Sequence, residues 1–198
     1  MFKKIINLKK QNGKHPPGQI VTEKFPVLTF GGTPHIELNQ WSFSISGLAK
    51  NKIKLDWNQF VQLPKSKITS EFHCVTKWSR MKNTWEGVKL SDLLKIANPL
   101  PAAHFALIHC FGDYTTNLSI ECLLDDDVIL AYRHENKPLH KDHGGPLRLV
   151  VPKRYGWKSA KWIKEIELIN ENKPGFWESR GYHMDGDPWK EQRFTEDD

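Results

Sequence analysis

The residues best equipped for chemistry lie in Glu71-Phe72-His73-Cys74-Val75-Thr76-Lys77-Trp78-Ser79-Arg80. A thiol stands at the end of an apolar-polar alternation, with an imidazole before it and an ammonium, an indole and a guanidinium after it. Delivered at a strand end, a Cys74 thiolate can ligate a soft metal, the class of ion that sulfur donors select. The same residue also suits an inert core, because free cysteine is among the most buried residue types. The stretch alone leaves both readings open.

A second constellation begins within the polar loop 135–146. His140-Lys141-Asp142-His143-Gly144-Gly145-Pro146-Leu147-Arg148 joins a flexible Gly-Gly to His and Arg at fixed offsets, then enters an apolar strand. Lys153-Arg154-Tyr155-Gly156-Trp157-Lys158-Ser159-Ala160-Lys161-Trp162 is rich in cations. Guanidinium forks, ammonium groups and loop N–H groups suit a phosphate or pyrophosphate. A solvated basic loop has the same composition. His73, Cys74, His109, Cys110, Cys122, His134, His140 and His143 are zinc-ligand types, but no Cys-x2-Cys or His-x3-His spacing accompanies them. The Gly-Gly loop matches neither a P-loop nor a dinucleotide fingerprint, which excludes the nucleotide-hydrolase and NAD classes.

These residues sit in a chain of 198, enough for one substantial domain. Three cysteines form no even or close-spaced set, which argues against a disulfide framework and for a reducing cytosol. No stretch is apolar enough to span a bilayer. The N-terminus begins like a signal peptide but lacks the apolar core, and no twin-arginine pair is present, so a cytoplasmic location is expected. Of the formal charge of +6, the first 24 residues hold +5, from six lysines and one glutamate. Residues 1–20 therefore read as a basic, extended arm, with the domain proper over 21–198. Such an arm can touch nucleic acid or anionic lipid; the near-neutral body argues against a nucleic-acid partner.

The positioning elements follow from periodicity. Trp41 to Ser46 alternates as a half-buried strand, and Asp56 caps a short helix carrying Trp57, Phe60 and Val61. Ile68 to Val75 is a strand that delivers Cys74. Leu90 to Asn98 is a helix closed by Asn98-Pro99. Phe105 to Phe111 and Tyr114 to Ile120 form a hairpin across Gly112-Asp113, followed by an acidic turn over 121–127. Val128 to Arg133, Leu147 to Val151 and Trp162 to Ile169 are strands. Residues 1–40 read as irregular because of His15-Pro16-Pro17-Gly18 and Gly31-Gly32-Thr33-Pro34. Strands and short helices mix without a βαβ rhythm, so the expected class is α+β with mixed or antiparallel sheets.

Together the constellations resemble the sulfite oxidase family of molybdenum-molybdopterin enzymes, most closely its small single-domain prokaryotic members. The resemblance rests on Phe72-His73-Cys74-Val75, on Asp142 to Pro152, on Tyr155 to Trp162, and on Gly175-Phe176-Trp177-Glu178-Ser179-Arg180-Gly181-Tyr182. It runs from about Phe25 to Phe194 and implies the molybdopterin-binding fold of that family. It implies that Cys74 is the thiolate ligand of molybdenum and that His143 and Arg148 contact the pterin. Ser159, Ala160 and Lys161 match the loop around the pterin's phosphate end, and Tyr182 matches the tyrosine facing the oxo group. Tyr114, Thr115 and Thr116 lie on a segment that approaches the pterin in relatives.

The chain also departs from the pattern. Sulfite oxidases proper carry an Arg-Asn-His-like segment where Thr22-Glu23-Lys24-Phe25-Pro26 stands, and paired arginines where Lys77-Trp78-Ser79-Arg80 stands. The Val-x-x-Trp-Ser run also looks like the catalytic subunit of periplasmic methionine-sulfoxide reductases. The expected activity is two-electron oxygen-atom transfer to or from a small polar or anionic substrate, sulfite-like or an S- or N-oxide. Tyr182, with Arg80 or Lys77, would orient that substrate. Electrons would pass to a separate protein or soluble carrier. The alternatives are a non-catalytic molybdopterin-binding subunit and a nucleic-acid-associated protein.

Overall fold

Alternating apolar residues that need a covered face build two mixed sheets. The computed structural model describes residues 15–197. The strands in order are β1 (Ile20–Val21), β2 (Ser42–Gly47), β3 (Ile53–Asp56), β4 (Ser66–Cys74), β5 (Trp78–Lys89), β6 (Phe105–Cys110), β7 (Thr115–Ser119), β8 (Ile129–His134), β9 (Lys137–Pro138), β10 (Arg148–Val150) and β11 (Ile163–Ile169). The helices are α1 (Trp57–Val61), α2 (Leu90–Ala97) and α3 (Ile120–Leu123).

One sheet runs β3-β2-β11-β6-β7, with β2 and β11 parallel and the other pairs antiparallel. Phe43, Ile45, Ala106, Ile108, Ile166 and Leu168 turn inward from its strands, alternating with exposed or half-buried neighbours as a one-sided sheet requires. α2 lays Leu90, Leu93, Leu94 and Ala97 onto the same core, and Asn98 closes it in the left-handed region at φ 51°. Asp56 caps α1 through a reciprocal capping box with Gln59.

The other sheet is organised around β5. Its twelve residues pair antiparallel with β4 and β8, while β1 runs parallel to its first two residues. β8 carries β10 and β9. Phe72, Trp85, Ile129, Ala131, Leu139 and Val150 form a second apolar cluster on this sheet. The strand β4 ends at Cys74, so a strand terminus presents the thiol.

Five features differ from the sequence expectation: β1 lies in the stretch read as irregular, β3 forms where no strand is expected, and the others concern β5, α3 and the loop 135–146. β5 was expected nowhere, because buried Ser79 and Asn83 interrupt its apolar alternation. The acidic turn over 121–127 begins as α3, capped by Ser119 Oγ accepting from the Cys122 N–H at 3.1 Å. The polar loop 135–146 contains β9 and a 3-10 turn over Lys141–His143. The arm expected over 1–20 is described only from residue 15. That part is docked: Pro16 and Gln19 are buried, and the Gln19 side-chain amide donates to the Cys74 carbonyl at 3.2 Å.

Gly87 sits where the β5–β8 register shifts, and a β-carbon there would collide with the Leu130 carbonyl oxygen. Backbone cannot yield as a side-chain tip can. Gly87→Ala is expected to cost about 1–3 kcal/mol, read as a lower urea midpoint; an unchanged midpoint would show that this contact relaxes freely.

Candidate functional site

A four-residue turn makes the floor of the main cavity. The N–H of Lys77 donates to the Cys74 carbonyl at 3.1 Å, and Lys77 takes φ 67° to bring the chain back into β5. Cys74 is 8% exposed, and its sulfur lies 3.1 Å from Thr76 Oγ1. Burial pushes the Cys74 thiol up, while the Thr76 hydroxyl and the Thr76 and Val75 N–H groups pull it down. Behind it the His73 ring is buried, 2.8 Å from Ser79 Oγ and 3.2 Å from Glu71 Oε2.

The opposite wall is cationic. Arg148 is 1% exposed and faces no carboxylate; it donates to the carbonyls of His143 and Ser159, both at 2.8 Å. Its guanidinium carbon lies 5.3 Å from the Phe72 ring centroid and 5.4 Å from that of Trp85. Burial lowers the Arg148 pKa to about 9, which leaves it charged at neutral pH. Lys161 Nζ donates to the carbonyls of Asp142 at 2.7 Å and Leu28 at 3.0 Å. Burial and the nearby Arg148 bring Lys161 to about 8. Gly144, at φ 107°, lets the loop close on this wall, since a β-carbon there would press on the Arg148 and Lys161 side chains at 3.0 Å.

Aromatic rings complete the enclosure. Phe25 stacks on His143 with centroids 4.6 Å apart and planes 2° from parallel. Tyr182 stacks on Trp177 at 4.9 Å and meets Trp157 edge-on at 5.1 Å. Burial raises the Tyr182 phenol, so it stays a protonated donor. Tyr114 donates to the Trp157 carbonyl at 2.7 Å.

A buried ion pair staples these segments. Lys158 Nζ lies 2.7 Å from Glu178 Oε1, both side chains at 0% exposure. Thr116 Oγ1 and Trp157 Nε1 donate to the same carboxylate at 2.7 and 2.9 Å. Lys158 also donates to Asn117 and to the Met184 carbonyl.

Cys74, Tyr114, His143, Arg148, Ser159, Ala160, Lys161 and Tyr182 therefore line one cavity of about 400 Å³. Arg80, Lys77 and Thr115 do not line it. Arg80 lies over the Phe25 ring, with its guanidinium 3.2 Å from Glu135 and 3.3 Å from His134. Sequence reasoning missed Phe25, Thr76 and the Lys158–Glu178 pair. Nothing in a sequence marks two ionic residues twenty positions apart as one buried unit.

The donor set defines what the cavity can hold. Among the described residues no three His, Cys, Asp or Glu side chains gather around a metal, so a metal at Cys74 must bring its other ligands. No carboxylate lines the cavity, and the buried Arg148 and the half-buried Lys161 face it. A flat, anionic cofactor with a phosphate end and a thiolate-seeking metal fits this set, which is the design of a molybdopterin oxidoreductase site.

The comparisons agree. The family described as "Oxidoreductase molybdopterin binding domain" matches residues 30–177. An uncharacterized oxidoreductase of Bacillus subtilis, YuiH, is 43% identical over 188 residues, covering 94% of this chain and 95% of that protein. The sulfite oxidase of Arabidopsis thaliana is 28% identical across 90% of this chain, which spans 56% of that enzyme. The sulfane dehydrogenase SoxCD of Paracoccus pantotrophus shares the fold at a TM-score of 0.65 and 21% identity, over 71% of this chain and 41% of that one. The chain belongs to this sulfite-oxidase-like family of molybdopterin-binding oxidoreductases. The family's cofactor is molybdenum-molybdopterin. Among the described residues no helix is long and apolar enough to cross a membrane.

His73, His134 and His143 are each lowered by burial from 6.5 to about 4. Unfolded, they take up protons as pH falls through 6.5; folded, they resist until about 4. The unfolded chain thus binds more protons in that window, and stability is lost as pH drops through it. Urea unfolding is expected to show a loss of a few kcal/mol between pH 7 and 5, at about 1.4 kcal/mol per pKa unit per group before solvent screening. An unchanged midpoint would contradict neutral, buried imidazoles.

Proposed function

We propose that this chain catalyses two-electron oxygen-atom transfer at molybdenum-molybdopterin, acting on a small neutral S-oxide or N-oxide or on its reduced partner. The observation that carries this reading is the set of groups lining the cavity. One thiol stands at the floor, every lining cation is engaged by main-chain carbonyls, and aromatic rings with small or apolar residues make up most of the rest.

When bound, the molybdenum-pterin group supplies the oxygen-atom and electron exchange. Cys74 holds the metal, and Arg148 and Lys161 face the cofactor's anionic portion. His143, kept neutral by burial and by Arg148, offers a flat polar surface under Phe25 rather than a charge. Ser159 and Ala160 shape the same wall; Ser159 Oγ accepts from the Val151 N–H at 2.9 Å. The protonated Tyr182 hydroxyl orients the substrate oxygen, while Trp157 and Trp177 exclude water and receive an apolar arm.

A sulfite-like dianion asks for guanidinium groups that are free to meet it. Arg80, the arginine nearest Cys74 in sequence, is paired with Glu135 outside the cavity. This favours the neutral oxide over the oxyanion. Electrons reach the site through a separate protein or soluble carrier.

The test uses protein made in a host that synthesises the cofactor. Reduced viologen should drive reduction of dimethyl sulfoxide or trimethylamine N-oxide, and sulfite should give little ferricyanide reduction. Cys74→Ala should fold and lose turnover. Sulfite oxidation outpacing every oxide would overturn the substrate class, and an active Cys74→Ala protein would overturn the ligand. A loaded protein that turns over with no donor or acceptor would be a non-catalytic molybdopterin-binding subunit.

A further inference from the structure

The β4–β5 turn does more than carry Cys74; it folds back around the sulfur. Thr76 Oγ1 stands 3.1 Å from Cys74 Sγ, and the N–H groups of Val75 and Thr76 bear on the same atom. The arrangement is built by the backbone: Lys77 N–H closes onto the Cys74 carbonyl, and Lys77 occupies the left-handed region at φ 67°. Gln19 then fixes the Cys74 carbonyl from the far side, donating at 3.2 Å. A neutral thiol can donate to a hydroxyl or accept from it. A thiolate can only accept, so once Cys74 is ionised the Thr76 hydroxyl must donate.

We propose that Thr76 is a positioning residue whose hydroxyl donates a hydrogen bond to the ligating Cys74 sulfur and raises the reduction potential of the metal that Cys74 holds. Hydrogen bonds to a ligating sulfur withdraw electron density from it, which makes the electron-rich reduced metal more favourable. Thr76 needs no contact with substrate for this effect. The side chain is held by no other hydrogen bond among those of the described residues, so its hydroxyl is free to follow the sulfur.

The inference rests on the reading of Cys74 as the metal ligand, and the two are separable by experiment. X-ray absorption at the molybdenum edge counts sulfur neighbours: Cys74→Ser should lose one relative to the wild type, and Thr76→Val should lose none. A redox titration of the metal centre, followed by electron paramagnetic resonance, then reads the hydroxyl. Thr76→Val is nearly isosteric and should shift the midpoint potential negative; Thr76→Ser should stay close to the wild type. Should Thr76→Val fail to accumulate as loaded protein, Thr76→Ala removes the same hydroxyl.

An unchanged sulfur count in Cys74→Ser would remove the ligand reading itself. An intact sulfur count in Thr76→Val with an unchanged potential would overturn the role of Thr76 and leave Cys74 standing. A serine variant displaced as far as the valine variant would assign the effect to packing of the methyl group, which also overturns the proposal.

Discussion

A guanidinium buried without a carboxylate is the constraint on which the cleft depends. Removing Arg148 from water is costly unless every donor finds an oxygen and the charge finds polarisable surroundings. The chain meets that demand with main-chain carbonyls from two loops and with the faces of Phe72 and Trp85. The two loops are the segments that present His143 and Lys161. Satisfying one buried charge thus fixes both flanks of the cavity at once. The rings beneath it belong to the sheet that delivers Cys74, so thiol and cationic wall are registered against each other by a single side chain.

The far side of the cavity repeats this logic with a compensated charge. Lys158 and Glu178 are both fully buried, and together they join β7, the loop before β11 and the C-terminal segment. Trp157 hangs from the same carboxylate and sets the edge against which Tyr182 packs. Breaking such a pair leaves a lone buried ion, which is far worse than the pair was good. The resulting enclosure is cross-linked by buried hydrogen bonds where the cofactor would lie. Along residues 26–32 it is closed by irregular chain, held to the body there through Lys161 and the Phe30–Phe176 contact.

Much of this was legible because local chemistry and global packing agree. β2, α1 and α2 follow from alternation, a capping aspartate and helical spacing, and each buries the face its pattern exposes as apolar. Cys74 at a strand end, and the Gly144-Gly145 bend that lets Arg148 approach Lys161, were likewise visible as residue types at fixed offsets. β5 was hidden because Ser79 and Asn83, which neighbouring strands satisfy through His73, Ser70 and His134, occupy inward positions. Arg80 misled for a geometric reason. It shares a strand face with Trp78, yet it stands two residues further along, roughly 6.6 Å at the usual strand rise of about 3.3 Å per residue. There it packs over the Phe25 ring and pairs with Glu135, and does not itself line the cavity. Tertiary partners of that kind leave no trace in spacing.

The central claim is that this cavity is a molybdenum-molybdopterin site with a chain-derived thiolate at its floor. Elemental analysis of protein from a host that makes the cofactor, paired with fluorescence of the oxidised pterin released from it, tests that claim most directly. The account predicts close to one molybdenum and one pterin per chain. Neither metal nor pterin in protein from such a host would contradict it.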